Sequence, residues 1–370
     1  MKKTGILTIH RYGNWGSVLQ TYALRKYLKQ MGLKAEIIDY LDPSFTKDKM
    51  NYLFRQEMKK QKNFFSCGKT LLLYPKFYRK NISWIRAFGE FKARFLPMTK
   101  GCRSTEDISR LNLENVVLGS DQIWGKPRKV YFGVGIRSEN IISYSASMPR
   151  EKFQKFSDRD KEEIREYLKG LSAVAVREES GVEFLSALTD KKVHNTADPV
   201  FLLKKEDYRP VIERSKVRVK EKYILLYLLY SVKENQLLAD LAKVMQKKYG
   251  YKIINISVKD QKIDGCLNIG NIGPCECLYL IENAEYVLTN SFHGSALSMV
   301  FEKNFYAFAY REPDRLYNIL SKAGLEDRLI SDLEKVNFNS IDYEKVWADL
   351  NPLIQYSKQY LKNSLKGIQD

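Results

Sequence analysis

Strands and helices alternate along two long stretches of the chain, predicting an α/β protein of two Rossmann-like domains facing a cleft. Three observations carry this: a βαβ opening, a nearly continuous apolar strand at Tyr223–Tyr230, and polar residues placed just after apolar strands in both halves. With 370 residues, 44% of them hydrophobic, the chain can build two cores, domains running to roughly 100–200 residues each.

Gly5 to His10 is the first strand. Ser17 to Met31 follows as a helix with Val18, Tyr22, Leu24, Leu28 and Met31 on or near one face, closed by Gly32, and Ala35 to Tyr40 is the second strand. The loop between them, Arg11-Tyr12-Gly13-Asn14-Trp15-Gly16, lacks GxGxxG, so it indicates no dinucleotide site. The loop reads either as a simple tight turn or as substrate-lining, and Asn14 and Trp15, costly choices for a plain turn, favour the second. After an insertion at about 45–100, strands recur at Asn115–Ser120, Asn140–Ser145 and Ser172–Val176, with an amphipathic helix at Asp158–Leu168. The charged stretch Lys204–Lys222 reads as a linker. Tyr223–Tyr230 is nearly continuously apolar, as in a parallel sheet covered on both faces. Then come helix Val232–Tyr249, strand Lys252–Ser257, helix Pro274–Asn283, strand Tyr286–Thr289, a turn at Ser291–Gly294, helix Ser295–Phe301, strand Phe305–Tyr310 and helix Arg315–Ala323. The domains are therefore 1–204 and 223–340, with 341–370 as a C-terminal helix packing back on the first.

The net charge of +18 calls for an anionic partner. Thirteen Lys or Arg against Asp48, Glu57 and Glu90 fall between Lys47 and Arg94, together with ten aromatic residues. This insertion reads either as a surface for an anionic leaflet or as a helical hairpin with buried aromatics. Five cysteines without a CxxC pair fit a reducing compartment better than a disulfide framework or a zinc site. The short apolar start and the lack of any apolar run near the roughly 20 residues that span a bilayer point to the cytoplasm. The insertion adds the option of a peripheral place at the inner membrane face.

The polar residues after strands are Ser120 and Asp121, Arg177, Asp198 and His293. Strand ends of both halves converging on one site would produce this clustering. Each also has a bland reading: Arg177 paired with Glu178 or Glu179, Asp121 as a helix cap, Asp198 in an Asx turn, His293 in a capping turn. His10 and His194 read as structural. No HExxH, P-loop, EF-hand or Ser-His-Asp order appears.

Several blocks in order resemble the polysaccharide pyruvyl transferase family. They are Gly5–His10 with Asn14–Leu24, Leu118-Gly119-Ser120-Asp121-Gln122-Ile123-Trp124, Ile142–Ser147, Val176–Val182, Asp198-Pro199, and Thr289-Asn290-Ser291-Phe292-His293-Gly294. The resemblance implies a GT-B-like fold with the acceptor on the first domain and the donor on the second. It implies transfer of a pyruvyl group from phosphoenolpyruvate to two hydroxyls of a sugar, as a ketal, within a cell-surface polysaccharide or lipid-linked intermediate. Phosphoenolpyruvate is then the donor substrate and no cofactor or metal is needed. A carboxylate and a phosphate ask for fixed positive or N–H-donating groups. The planar fork of Arg177 suits one, and His293 with the helix start at Gly294 to Ala296 suits the other, flanked by Ser291 and Ser295. Asn14, Trp15 and Ser120 complete the lining. His293 is the best-placed proton donor to the enol carbon, and Asp121 or Asp198 takes the hydroxyl proton. Some relatives carry a basic residue where Ser291 stands, so one anion contact comes from elsewhere here. The other readings are a nucleotide-sugar glycosyltransferase on the same fold, or a catalytically silent membrane-associated scaffold for polysaccharide assembly. Stacking of single-stranded nucleic acid uses a composition like the insertion's, but the ordered blocks argue against a nucleic-acid partner.

Overall fold

The computed structural model describes residues 3–11, 13–41, 74–229, 233–257 and 261–366. Its first half holds strands β1 (Lys3–Leu7), β2 (Lys34–Ile37), β3 (Asn115–Leu118) and β4 (Asn140–Ser143), paired in parallel in the order β2-β1-β3-β4. β5 (Val174–Val176) and β6 (Val193–Asn195) form a further parallel pair. Bridges Ile142–Ala173 and Ala146–Val176 join that pair to the region of β4. Helices α1 (Trp15–Gln30), α2 (Tyr74–Phe95), α3 (Asp158–Lys169) and α4 (Glu179–Ser186) alternate with these strands. Every residue of β3, β4 and β5 is buried, as in strands covered on both faces.

The second half is another parallel sheet. Strands β7 (Tyr223–Leu228), β8 (Lys252–Ser257), β9 (Leu267–Asn268), β10 (Tyr286–Thr289) and β11 (Asn304–Ala307) lie in the order β11-β10-β7-β8-β9. Helices α5 (Gln236–Tyr249), α6 (Pro274–Glu282), α7 (Phe292–Val300) and α8 (Pro313–Lys322) accompany them. β7 shows why its sequence is apolar without alternation. Tyr223, Leu225 and Tyr227 enter the core shared by both halves, while Ile224, Leu226 and Leu228 pack in a separate core with α5. The strand stops at Leu228, two residues before the predicted Tyr230, because the Leu229 N–H bonds Asn290 Oδ1 (2.9 Å).

In each sheet the first strand has neighbours on opposite sides, β2 and β3 for β1, β8 and β10 for β7. Such switch points open a crevice at the carboxyl ends of the strands, where ligands gather. The two halves meet through one buried cluster running from Trp15, Leu19 and Tyr22 of α1 to Tyr227, Ile272, Cys277 and Leu297.

α2 contains the described part of the basic aromatic insertion; residues 42–73 lie outside the described residues. Trp84, Phe88 and Phe91 are buried in the shared cluster. This excludes a leaflet-facing role for those three rings, while Arg86 and Arg94 stay exposed. The Lys204–Lys222 stretch is likewise packed. Tyr208, Val211 and Ile212, at helical spacing, are buried, and Tyr22 donates to Asp207 O (2.9 Å). Helix α9 (Tyr343–Ser364) starts on the second half, where Tyr343 donates to Lys303 O (2.6 Å). It ends on the first, where Tyr360 donates to Ser143 O (2.8 Å) and Ser357 Oγ accepts from Ala197 N–H (2.8 Å). Among the described residues no helix is long and apolar enough to cross a membrane.

Candidate active site

β10 ends at Thr289, whose hydroxyl donates to Tyr227 O (2.8 Å) and accepts from Ser291 N–H (3.1 Å). Ser291 then N-caps α7, its Oγ accepting from Gly294 N–H (3.3 Å). A serine cap needs only three residues to close, so the helix starts at Phe292 instead of the expected Ser295, and His293 is its second residue. Gly294 N–H goes to the cap and Ser295 N–H to Ser291 O (3.0 Å). The groups that the helix leaves without carbonyl acceptors are therefore the N–H of Phe292 and His293, not those of Gly294 to Ala296. Gly294 serves packing: a Cβ there would lie 2.3 Å from Thr289 Oγ1. Ser295 is fully buried, and its Oγ has no hydrogen-bond partner among the described residues.

Beside His293 sits Asp198, only 1% exposed. Its Oδ2 accepts from Arg177 Nη1 (2.6 Å) and Ser120 Oγ (3.1 Å), and lies 3.5 Å from His293 Nε2, an ion-pair contact longer than a good hydrogen bond. Oδ1 accepts from Val200 N–H (3.1 Å). Burial alone would raise the Asp198 pKa, but interaction with His293, the guanidinium charge of Arg177 and the Val200 bond outweigh it. The carboxyl is held well below the usual carboxylate range. So stabilised, and engaged on both oxygens, Asp198 is a poor proton acceptor, which argues against the base role. It is the bridge that fixes Arg177 and His293 in one frame.

Arg177 is 4% exposed. It donates through Nε to Glu178 Oε1 (3.0 Å) and through Nη1 to Asp198, and its guanidinium carbon lies 4.0 Å from the Phe292 ring centroid. Two buried carboxylates thus occupy the fork expected to grip an anion. Only Nη2, buried without a partner among the described residues, remains.

A cavity of about 340 Å³ meets this network at His293 and Phe292, and is lined by Asn14 and Asp121 of the first half and by Asn290, Ser291, Phe292, His293 and Arg315 of the second, among others; Arg177, Asp198 and Ser120 are not among its lining residues and lie behind that wall. Asn14 also caps α1, accepting from Gly16 N–H (3.0 Å). Gly16 in turn backs the imidazole: a Cβ there would lie 2.4 Å from His293 Nδ1. Asp121 holds a left-handed backbone (φ 75°), a strain of about 1 kcal/mol for a residue other than glycine, and its Oδ1 accepts from Gln122 N–H (2.8 Å). Ser120 lies fully buried beside Asp198. Trp15 does not line the cavity; it is 2% exposed, donates to Ile272 O (3.0 Å) and meets Tyr227 edge-on, so it belongs to the seam between the halves. A larger hollow of about 560 Å³ beside α9 contains no residue of this network.

Two contributors escaped sequence reasoning. Phe292 reads as a core aromatic, yet it carries the Arg177 guanidinium. Arg315 reads as the surface partner of Glu312 three residues before it. In the fold its Nη1 does reach Glu312 (3.1 Å), but Nε is buried without a partner among the described residues and the guanidinium lies 5.4 Å from the Phe292 centroid.

Two Rossmann-like domains with a cation-lined, carboxylate-braced pocket at their seam define a protein of GT-B-like fold. The fold is shared with solved UDP-N-acetylglucosamine 2-epimerases. For that of Rickettsia bellii, identity is 14%, coverage 98% of this chain and 95% of that chain, and TM-score 0.53. For that of Methanocaldococcus jannaschii, in complex with UDP-GlcNAc and UDP, the values are 12%, 96%, 93% and 0.50. Identities this low show the fold alone. The family model described as polysaccharide pyruvyl transferase matches residues 14–312, well over half of the chain, so the protein belongs to that family. It is thus a transferase of the type that pyruvylates polysaccharides. No curated protein matches the sequence. The matched span contains Asn14, Asp121, Arg177, Asp198 and His293 and stops short of Arg315.

Proposed function

We propose that the protein transfers the pyruvyl group of phosphoenolpyruvate to two hydroxyls of a saccharide, in a cell-surface polysaccharide or its lipid-linked intermediate, forming a ketal and releasing phosphate. The observation that supports this best is a pair of buried nitrogens without hydrogen-bond partners among the described residues, Arg177 Nη2 and His293 Nε2, beside the first turn of α7. A small donor bearing a carboxylate and a phosphate supplies the acceptors they lack.

In this reading His293 gives a proton to the methylene carbon C3, with Asp198 steadying the ring, and C2 becomes oxocarbenium-like. The first sugar hydroxyl attacks C2 and yields its proton to Asp121, which lines the cavity from the first half. The bond between C2 and the phosphate oxygen then breaks, and the second hydroxyl closes the ketal at C2. The first hydroxyl proton makes good the one given to C3, and the second leaves on phosphate. Arg177 Nη2 and the Phe292 and His293 N–H groups hold the anionic ends.

A phosphate-release assay over lipid-linked and soluble saccharides tests this: release is expected only when phosphoenolpyruvate and an acceptor are both present. No release with any acceptor, together with binding of a nucleoside diphosphate instead of phosphoenolpyruvate, would mark a nucleotide-sugar glycosyltransferase. The place of the imidazole has its own test. Gly16→Ala is expected to displace the ring and lower turnover by about 10²-fold, whereas turnover within twofold of the parent would show that the ring has room to move.

A further inference from the structure

We infer that Arg315 is a second donor-binding residue, supplying from the second domain an anion contact that complements Arg177 of the first. This rests on the phosphoenolpyruvate reading above and concerns how the same pocket recognises its donor. Arg177 and Arg315 lie 4.0 Å and 5.4 Å from one ring centroid, that of Phe292. Two guanidinium groups are therefore gathered around a single aromatic side chain in the cavity wall, no farther apart than about one screening length.

Their counter-charges differ. Arg177 is braced by two carboxylates, Glu178 and Asp198. Among the described residues Arg315 pairs with Glu312 alone, and Glu312 also receives Lys152 Nζ (2.8 Å) and Gln122 from the first half. One carboxylate between two cations leaves that corner of the pocket net positive. Arg315 Nε, moreover, is buried and makes no hydrogen bond among the described residues, and a buried donor left unpaired is destabilising. An anion in the cavity would remove both deficits, and a small molecule with a carboxylate and a phosphate has a group for each arginine. Arg311 also lines the cavity but is exposed and pairs with Glu234, so it is the weaker candidate.

Glu312 also ties Arg315 to Lys152 and Gln122 of the other domain. The residue that grips the donor is thereby oriented by contacts that exist only when the two halves are docked.

Direct titration of the full chain with phosphoenolpyruvate decides the matter. Arg315→Gln is expected to raise the dissociation constant about 10- to 100-fold, to raise the KM for phosphoenolpyruvate in step, and to leave the KM for the acceptor unchanged. Arg315→Lys, which keeps the charge, is expected to recover part of the loss. Melting temperatures near that of the parent would confirm that both variants fold. If the parent binds phosphoenolpyruvate and Arg315→Gln binds it within twofold, Arg315 is not a donor contact and the proposed function stands without it. Equal losses in both variants with a lowered melting temperature would also overturn the assignment, in favour of a structural role. No binding by the parent itself removes the phosphoenolpyruvate reading and this inference together.

Discussion

A His293→Gln protein is expected to lose pyruvyl transfer by about 10²- to 10⁴-fold, the range supplied by a positioned proton donor. Glutamine reaches about as far as imidazole and keeps an N–H directed at Asp198, but an amide does not give up a proton to carbon at neutral pH. Binding of phosphoenolpyruvate should therefore survive within several-fold while turnover collapses. The readout is the rate of phosphate release at saturating donor and acceptor, with product made in heavy water as a second signature. The parent should place a single deuterium in the ketal methyl group, as protonation at C3 demands. Turnover of the variant within tenfold of the parent would remove His293 as the donor of that proton.

Asp198→Asn is expected to damage fold and activity together. Asp198 Oδ2 is the meeting point of Arg177 (2.6 Å), Ser120 (3.1 Å) and His293 (3.5 Å), with almost no solvent access. Breaking a buried ion pair on one side costs about 3–5 kcal/mol when the other charge is left uncompensated; Arg177 keeps Glu178 (3.0 Å), so the lower end of that range is expected here. The variant should melt several degrees lower and lose turnover even at temperatures where it is folded, since both Arg177 and His293 lose their common anchor. The effect also has a pH signature. The folded-state pKa of Asp198 lies below its unfolded value, so its stabilisation is fully present above the unfolded pKa, near about 4, and is lost as pH falls through the depressed folded value. The difference in melting temperature between parent and variant should hold between about pH 7 and 5 and narrow in acid below about 4. A variant as stable and active as the parent would show that Arg177 and His293 are held by other contacts.

Legibility in the sequence followed the range of the forces involved. β3, β7 and β10 were readable because two-sided burial in a parallel sheet demands apolar residues without alternation, a property each strand carries by itself. The position of His293 just after β10 was readable for the same reason. The start of α7 was misplaced because the Ser291 cap competes with a glycine turn at Gly294, and only the Thr289, Ser291 and Gly294 hydrogen bonds settle it. The aromatic residues of the insertion have two homes in sequence, a membrane or a core; for Trp84, Phe88 and Phe91 the seam with the second domain decides. Arg315 was hidden because a charged pair three residues apart on a helix looks the same whether it faces solvent or a pocket.

The sequence by itself determined the α/β class, the two halves, the family blocks and the set of polar residues at strand ends, since these rest on local periodicity and on residue types at fixed spacing. Only the tertiary structure decided which of those polar groups meet. Ser120 and Asp198, 78 positions apart, share a hydrogen bond. Asp198 stands between Arg177 and His293, which no spacing along the chain reveals. The Arg177 fork is already taken on two of its nitrogens, Trp15 is consumed by the seam, and Arg315 enters the pocket. The physical reason is that a strand or helix is specified by the chain near it, whereas the partner of a buried charge is specified by how two domains dock.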